Sequence, residues 1–212
     1  MKDYPWYKKY DKGVQRTIEY PAVPLFYFLE ENARKFPDKP CTIFKGAIVT
    51  FREMNQITDR VAGALAKMGI KKGDRVGLFM PNTPQFVMSY FGILKAGGVV
   101  VATNPLYTPP EIEHQVNDAG IEVMFVMSNF YKIIKTAQPK TKIKTLIVSN
   151  IKETLPPALR VLFTLAKEKK GGFRVSLEPG DIWFQDLLAK YSPSDRPKMD
   201  IGPDDTALFQ YS

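Results

Sequence analysis

Three short polar stretches are where this sequence could meet a ligand: MPNTP at 80–84, ATNPLYTPP at 102–110 and MSNF at 127–130. Each follows an apolar run, and together they carry Asn82, Thr83, Asn104, Tyr107, Thr108, Ser128 and Asn129. Their amides and hydroxyls could hydrogen-bond a ligand. They also have a plainer use, because Thr83, Thr108 and Ser128 stand where helices want N-caps, and the neighbouring prolines fix φ at helix entry. Capping is the preferred reading. None of the three contains GxGxxG or GxxxxGK[ST], so no complete phosphate cradle is present.

The single histidine, His114, falls between Glu111 and Asp118 at three- and four-residue steps, away from Ile112, Val116 and Ala119. Such a stripe could in principle bind a metal. A solvated ionic face is preferred, since ligands of mixed hardness on an exposed helix face lack groups to orient them. A Ser-His-Asp site has no GxSxG elbow to present its serine. Cys41 is the only cysteine, which rules out an internal disulfide and a Cys/His zinc site and points to a reducing, cytoplasmic compartment.

The elements that must position these stretches are legible from periodicity. Apolar runs starting near residues 75, 98, 122 and 144 (RVGLFM, GVVVAT, EVMFVM, KTLIVS) are spaced by 23, 24 and 22 residues. Strands apolar on both faces and joined by helices predict an α/β three-layer sandwich. Its mainly parallel sheet, flanked by helices, has right-handed crossovers and occupies about residues 70–150. Ligands of such sheets bind outside the carboxyl ends of the strands, where the three polar stretches fall. Upstream, residues 22–36 predict a helix with Leu25, Leu29, Ala33 and Phe36 on one face. CTIF and IVT predict a hairpin turning at Lys45-Gly46, and Thr50 with Glu53 predicts a capped helix closed by Gly69.

The remaining segments read as a 1–21 arm, a less regular stretch over 150–203, and a terminal strand over 206–212. Aromatics and lysines alternate in the arm. They could stack on single-stranded nucleic acid, but pinning the arm to its own domain is preferred, and no nucleic-acid partner is expected. Within 158–170, Arg160, Thr164 and Lys167 make a narrow polar stripe beside Leu159, Val161, Leu162, Phe163 and Leu165. That pattern suits a helix packed on the sheet, the preferred reading, or one lying in a membrane interface.

At 212 residues, 44% hydrophobic and 25% charged, the chain has the balance of a folded protein. No run approaches the roughly 18 to 20 apolar residues of a membrane span, since Lys95 interrupts even GILKAGGVVVAT. The start, MKDYPW, lacks the apolar core of a signal peptide. A formal charge of +8 favours anionic partners: nucleic acid, a phosphorylated small molecule or an acidic membrane surface.

The run GDRVGLFMPNTPQFVMSYFGILKAGGVVVATNPLYTPPEIEHQVNDAG, 73–120, resembles the N-terminal domain of the adenylate-forming acid–CoA ligases, and above all the long-chain fatty acid–CoA ligases. LKAGGVVV at 94–101 is shared loosely across that superfamily, whereas NPLYTPPEIEHQVNDAG at 104–120 is narrower. The resemblance implies activation of a fatty acid by ATP and Mg2+ to an acyl-adenylate with release of pyrophosphate, then transfer to the thiol of coenzyme A. It implies that 22–212 is an incomplete N-terminal AMP-binding domain whose phosphate loop opens at Tyr211 and Ser212. The glycines, threonines and lysine of that loop, and the catalytic residues, would belong to a missing C-terminal part of the same chain. No catalytic residue, metal ligand or bound cofactor is expected on the 212 residues alone, which should be inactive. A location in the cytoplasm, with weak peripheral contact to anionic membrane, follows the same expectation. A non-catalytic binding or scaffold module of the same fold is the alternative.

Overall fold

The computed structural model describes residues 3–211. Its first element is a 3-10 turn, Pro5–Lys9, in which no residue is buried. The arm's aromatics stack on one another, Tyr4 on Trp6 at 4.5 Å and Tyr7 edge-on to Tyr4 and Tyr10. Helix α1 is Tyr27–Lys35, shorter than the 22–36 the sequence predicts. Pro21 and Pro24 explain the late start: proline has no N–H to donate, and Val23, standing before Pro24, is steered away from helical φ/ψ. Leu29 is buried as expected, but Leu25 and Phe36 are exposed.

Strands β1 (Pro40–Phe44) and β2 (Ala47–Thr50) form the expected antiparallel hairpin. Lys45 and Gly46 both have positive φ, 51° and 88°, which is the twist a two-residue hairpin turn requires. Helix α2 (Phe51–Lys67) starts on the reciprocal cap read from the sequence. The Glu53 N–H donates to Thr50 Oγ1 at 3.2 Å, and the Thr50 N–H donates to Glu53 Oε2 at 2.8 Å.

The βα rhythm then follows as β3 (Arg75–Phe79), α3 (Pro84–Lys95), β4 (Val99–Ala102), α4 (Pro109–Ala119), β5 (Val123–Met127), α5 (Tyr131–Ala137) and β6 (Thr145–Ser149). Beyond it come α6 (Pro157–Ala166), β7 (Ile182–Trp183), α7 (Phe184–Lys190) and β8 (Leu208–Gln210). The sheet has six strands in the order β7-β6-β5-β3-β4-β8, and every neighbouring pair is parallel. Four of these strands were legible as apolar runs, β8 falls inside the terminal strand read over 206–212, and the two-residue β7 is an edge addition the sequence reading did not include.

Alternation along the strands separates two cores. Val76, Leu78, Val123, Phe125 and Ile147 face α2, α3 and α7, whose Val61, Leu65, Ile93 and Phe184 meet them. Phe79, Val101, Met124, Val126 and Leu146 face α4 and α5 through Ile112, Val116 and Ile134. Each such side chain, once buried, stabilises the fold by about 1.5–3 kcal/mol. The helices on the first face approach closely: a Cβ on Gly92 would lie 2.3 Å from Val61 Cγ1, so glycine is required where α3 crosses α2.

The stretch between β6 and β8 departs from the preferred reading in one respect. Helix α6 has no buried residue and does not pack its apolar face on the sheet. Among the described residues, no helix is long and apolar enough to cross a membrane.

Candidate functional site

Strand β3 leads into α3 on one face of the sheet, whereas its neighbours β4 and β5 lead into α4 and α5 on the other. Chains that leave adjacent strands toward opposite faces open a crevice at the carboxyl ends. There the Oγ atoms of Thr83, Thr103 and Ser128 and the Oδ1 of Asn129 are buried without a hydrogen-bond partner. A buried polar atom left unpaired costs about 1–3 kcal/mol. Several on neighbouring strand ends form a row of acceptors and hydroxyl donors that a polar ligand could satisfy.

The structure sorts the capping expectations residue by residue. Thr108 caps α4: Glu111 Oε2 accepts from both its N–H and its hydroxyl at 2.7 Å, and these bonds hold the Glu111 carboxyl below its ordinary pKa. Thr83 occupies the N-cap position of α3, but its side chain makes no capping bond. Ser128 is not a cap. It opens a 3-10 turn, Ser128–Phe130, and α5 begins only at Tyr131 with Phe130 before it. Asn104 Oδ1 accepts from the Leu106 N–H at 3.0 Å and so shapes its own loop, Asn82 is exposed, and Tyr107 packs at the margin of the second core.

Strand β8 adds to the sheet beside β4, with Gln210 in register with Ala102, so its end leaves the sheet next to the 102–110 loop. The Tyr211 hydroxyl donates to Asp118 Oδ2 at 2.5 Å. Burial and that carboxylate push the phenol up to about 12. Ser212 lies outside the described residues. The Glu111, His114 and Asp118 stripe is thus divided: Glu111 serves the cap, Asp118 holds Tyr211 and His114 is exposed. Among the described residues no group of three or more His, Cys, Asp or Glu side chains could hold a metal ion.

A concavity of about 960 Å³ lies away from those atoms, with Asp118 and Tyr211 on its margin. It runs along β8 and the amino ends of β3 and β4, lined by residues such as Arg75, Val99, Ala207 and Phe209, and includes none of the three polar loops. The carboxyl ends of the strands are the better site on chemical grounds, because the loops there hold four of the eight buried, unpaired side-chain polar atoms found among the described residues.

One constellation escaped the sequence reading. Lys95, seen only as a charge interrupting an apolar run, is fully buried, and its Nζ lies 2.8 Å from Asp59 Oδ1 and 2.7 Å from Asn55 Oδ1. Arg196 reaches the same Asp59 oxygen at 3.1 Å, pairs with Glu30 and stacks over the Phe26 ring. Burial pushes the Lys95 ammonium below its ordinary pKa, against the pull of Asp59. The cluster ties α1, α2 and α3 to the segment before β8 and touches none of the polar loops. A lysine between apolar residues is its one local sign; its partners are far along the chain.

A parallel sheet with helices on both faces and a crevice at its central strand is the fold of the acid–CoA ligases. The structure superposes on an anthranilate CoA ligase solved with anthranoyl-AMP at a TM-score of 0.71 and 21% identity, over 90% of this chain and 32% of that one. It superposes on a long-chain-fatty-acid–CoA ligase from Archaeoglobus fulgidus at 0.70 and 23%, over 91% of this chain and 35% of that one. The sequence signature of the AMP-binding enzyme family matches residues 29–212, and the chain belongs to that family. It is 33% identical over 210 residues to a long-chain-fatty-acid–CoA ligase of Yersinia pestis, and likewise 33% identical over 166 residues to one of Bacillus subtilis. These alignments cover 98% and 78% of this chain but 37% and 30% of the relatives, so the chain spans little more than a third of their length.

Proposed function

We propose that these 212 residues are the N-terminal part of an ATP-dependent long-chain fatty acid–CoA ligase. On this reading residues 1–21 are an arm, and 22–212 begin an AMP-binding domain with its βα core at about 70–150 and a variable insertion at about 150–203. The terminal strand, 206–212, carries the start of the phosphate loop at Tyr211 and Ser212. The parent enzyme would take a fatty acid, ATP with Mg2+, and coenzyme A, in the cytoplasm and in weak contact with anionic membrane.

The observation that carries the reading is the parallel pairing of β8 with β4, which aims Tyr211 out of the carboxyl edge of the sheet beside the 102–110 loop. The residues present do not by themselves fit a triphosphate or its metal. The Tyr211 hydroxyl is engaged by Asp118, and neither a glycine cradle nor a lysine follows it within the chain. The part played by these residues is positional: a parallel sheet with two packed faces fixes the point from which a phosphate loop would spring. One edge of such a loop cannot organise a triphosphate for attack.

Two measurements test this. The purified 212-residue chain is expected to show no fatty acid-dependent pyrophosphate release, and clear release would overturn the assignment of the missing chemistry to other residues. The source gene is expected to continue past codon 212 with a Gly- and Thr-rich segment containing a lysine within about ten residues, the reach of phosphate-cradling loops. A stop codon there, or a continuation without glycine and lysine, would instead favour a non-catalytic module of the same fold.

A further inference from the structure

We propose that α6, with the adjoining turn of the β1–β2 hairpin, docks on an anionic lipid bilayer surface. This deepens the weak membrane contact in the functional reading by naming its residues and partner. It rests on that part of the reading alone; pyrophosphate exchange, not vesicle binding, decides the ligase assignment.

Helix α6 turns its apolar face outward. Val161, Leu162 and Leu165 are 59%, 60% and 80% exposed, and Leu159 is exposed as well. At about 100° per residue, Ala158, Leu162 and Leu165 lie along the middle of one face, with Val161 on one flank and Leu159 and Ala166 on the other. No charged side chain interrupts it. The opposite face holds the helix to the protein: Phe163 meets Phe173 edge-on at 5.3 Å, and Arg174 donates to the Thr164 carbonyl at 3.2 Å. The attachment thus uses the polar side, and the apolar side faces solvent.

The hairpin extends this surface. Pro156, at the N-cap of α6, lies beside Gly46 of the turn. Ile43 and Ile48, paired across the hairpin, are also exposed.

Charge selects the occupant. Lys167, Lys169 and Lys170 follow the last turn of α6, are exposed, and make no ion pair among the described residues. The neighbouring cations are already committed, Arg160 to Glu153, and Lys152 and Arg174 to the buried Glu168. An apolar face with free lysines just past its C-terminal end has the composition of a helix lying in an anionic lipid interface. Two copies docking face to face would bring these like charges together.

The test is sedimentation of the 212-residue chain with vesicles of phosphatidylcholine alone and of phosphatidylcholine with phosphatidylserine. Binding is expected only with phosphatidylserine, and the bound-to-free ratio should fall about tenfold between about 0.05 M and 0.5 M salt. Leu162→Glu with Leu165→Glu should abolish binding without changing the circular dichroism, since both side chains are exposed. Lys167→Ala with Lys169→Ala and Lys170→Ala should weaken it while leaving the apolar face intact. Salt-insensitive binding to neutral vesicles, or binding that survives both variant sets, would overturn the proposal. So would a dimer in solution that Leu162→Glu dissociates, which gives the face to a second copy. Failure of the full reading-frame product to bind where the 212-residue chain does would give it to the rest of the chain.

Discussion

The Lys95 ammonium and the Asp59 carboxylate meet at 2.8 Å, and the lysine side chain has no exposed surface. A helix C-terminus favours a cation, but α3 buries this one against α2, so its charge depends on Asp59, on Asn55 and on Glu30 at 3.8 Å. The pair therefore acts as a clamp between the two helices. Whether the pair stabilises relative to apolar residues is a separate matter from what happens when it is broken, because desolvation offsets much of the attraction.

Breaking the pair from one side should be costly. Asp59→Asn is expected to lower unfolding stability by about 3–5 kcal/mol by leaving a buried ammonium uncompensated. Adding Lys95→Met in the same chain should recover much of that loss. Urea denaturation of the two variants and the wild type measures both, and a single-variant change below about 0.5 kcal/mol would place the pair among surface-like interactions.

The α2–α3 contact tests packing independently of charge. Gly92→Ala would place a methyl 2.3 Å from Val61 Cγ1 and 2.5 Å from its Cβ. Overpacking of this kind costs about 1–3 kcal/mol. Combined with Val61→Ala, the cost should be less than additive, because the second change removes the atoms that clash. A thermal-denaturation cycle over the four proteins gives the coupling.

Acid should unlock the stretch around α6 through Glu168. Burial raises its pKa, but Lys152 at 2.5 Å and Arg174 at 3.2 Å outweigh that and leave the carboxyl below its ordinary 4.5. The unfolded chain therefore takes up this proton first as pH falls. The stabilisation is complete above about 4.5 and is lost on going down through the folded value. Glu168→Gln should flatten this part of the acid limb of a melting-temperature profile, and an unchanged acid slope would contradict the assignment.

At the alkaline end the sign reverses. The Tyr131 phenol is pushed up to about 12, by burial and by donating to Asp181 Oδ2 at 2.6 Å. Since the unfolded phenol ionises near 10.0, the folded chain holds its proton longer. The stability contributed is present below that value and is lost as pH rises toward about 12. Tyrosinate absorbance should show a late component shared with Tyr211, and Tyr131→Phe should reduce that component by about half.

The parts of the fold that were legible share a physical property: their determinants are local. Apolar runs at βα spacing fixed β3, β4, β5 and β6 to within a residue at their starts, and Thr50 with Glu53 announced α2 because both halves of the cap lie within one turn. Thr108 with Glu111 was readable for the same reason. Where a second local option competed, the reading slipped: Pro24 delayed α1, and a 3-10 turn at Ser128 displaced the start of α5. The outward face of α6 could not be decided from its sequence, since a wide apolar face suits a sheet and a lipid interface equally. The burial of Lys95 was hidden because Asp59 and Glu30 reach it from distant segments, and Arg196 joins the cluster only through those two carboxylates.

The central claim is the chemistry of the parent enzyme, and exchange of labelled pyrophosphate into ATP by the product of the full reading frame tests it most directly. With a long-chain fatty acid and Mg2+, exchange well above the rate without acid is expected, and omission of coenzyme A should not prevent it. Exchange with aromatic carboxylates but not fatty acids, or with neither, would contradict the account.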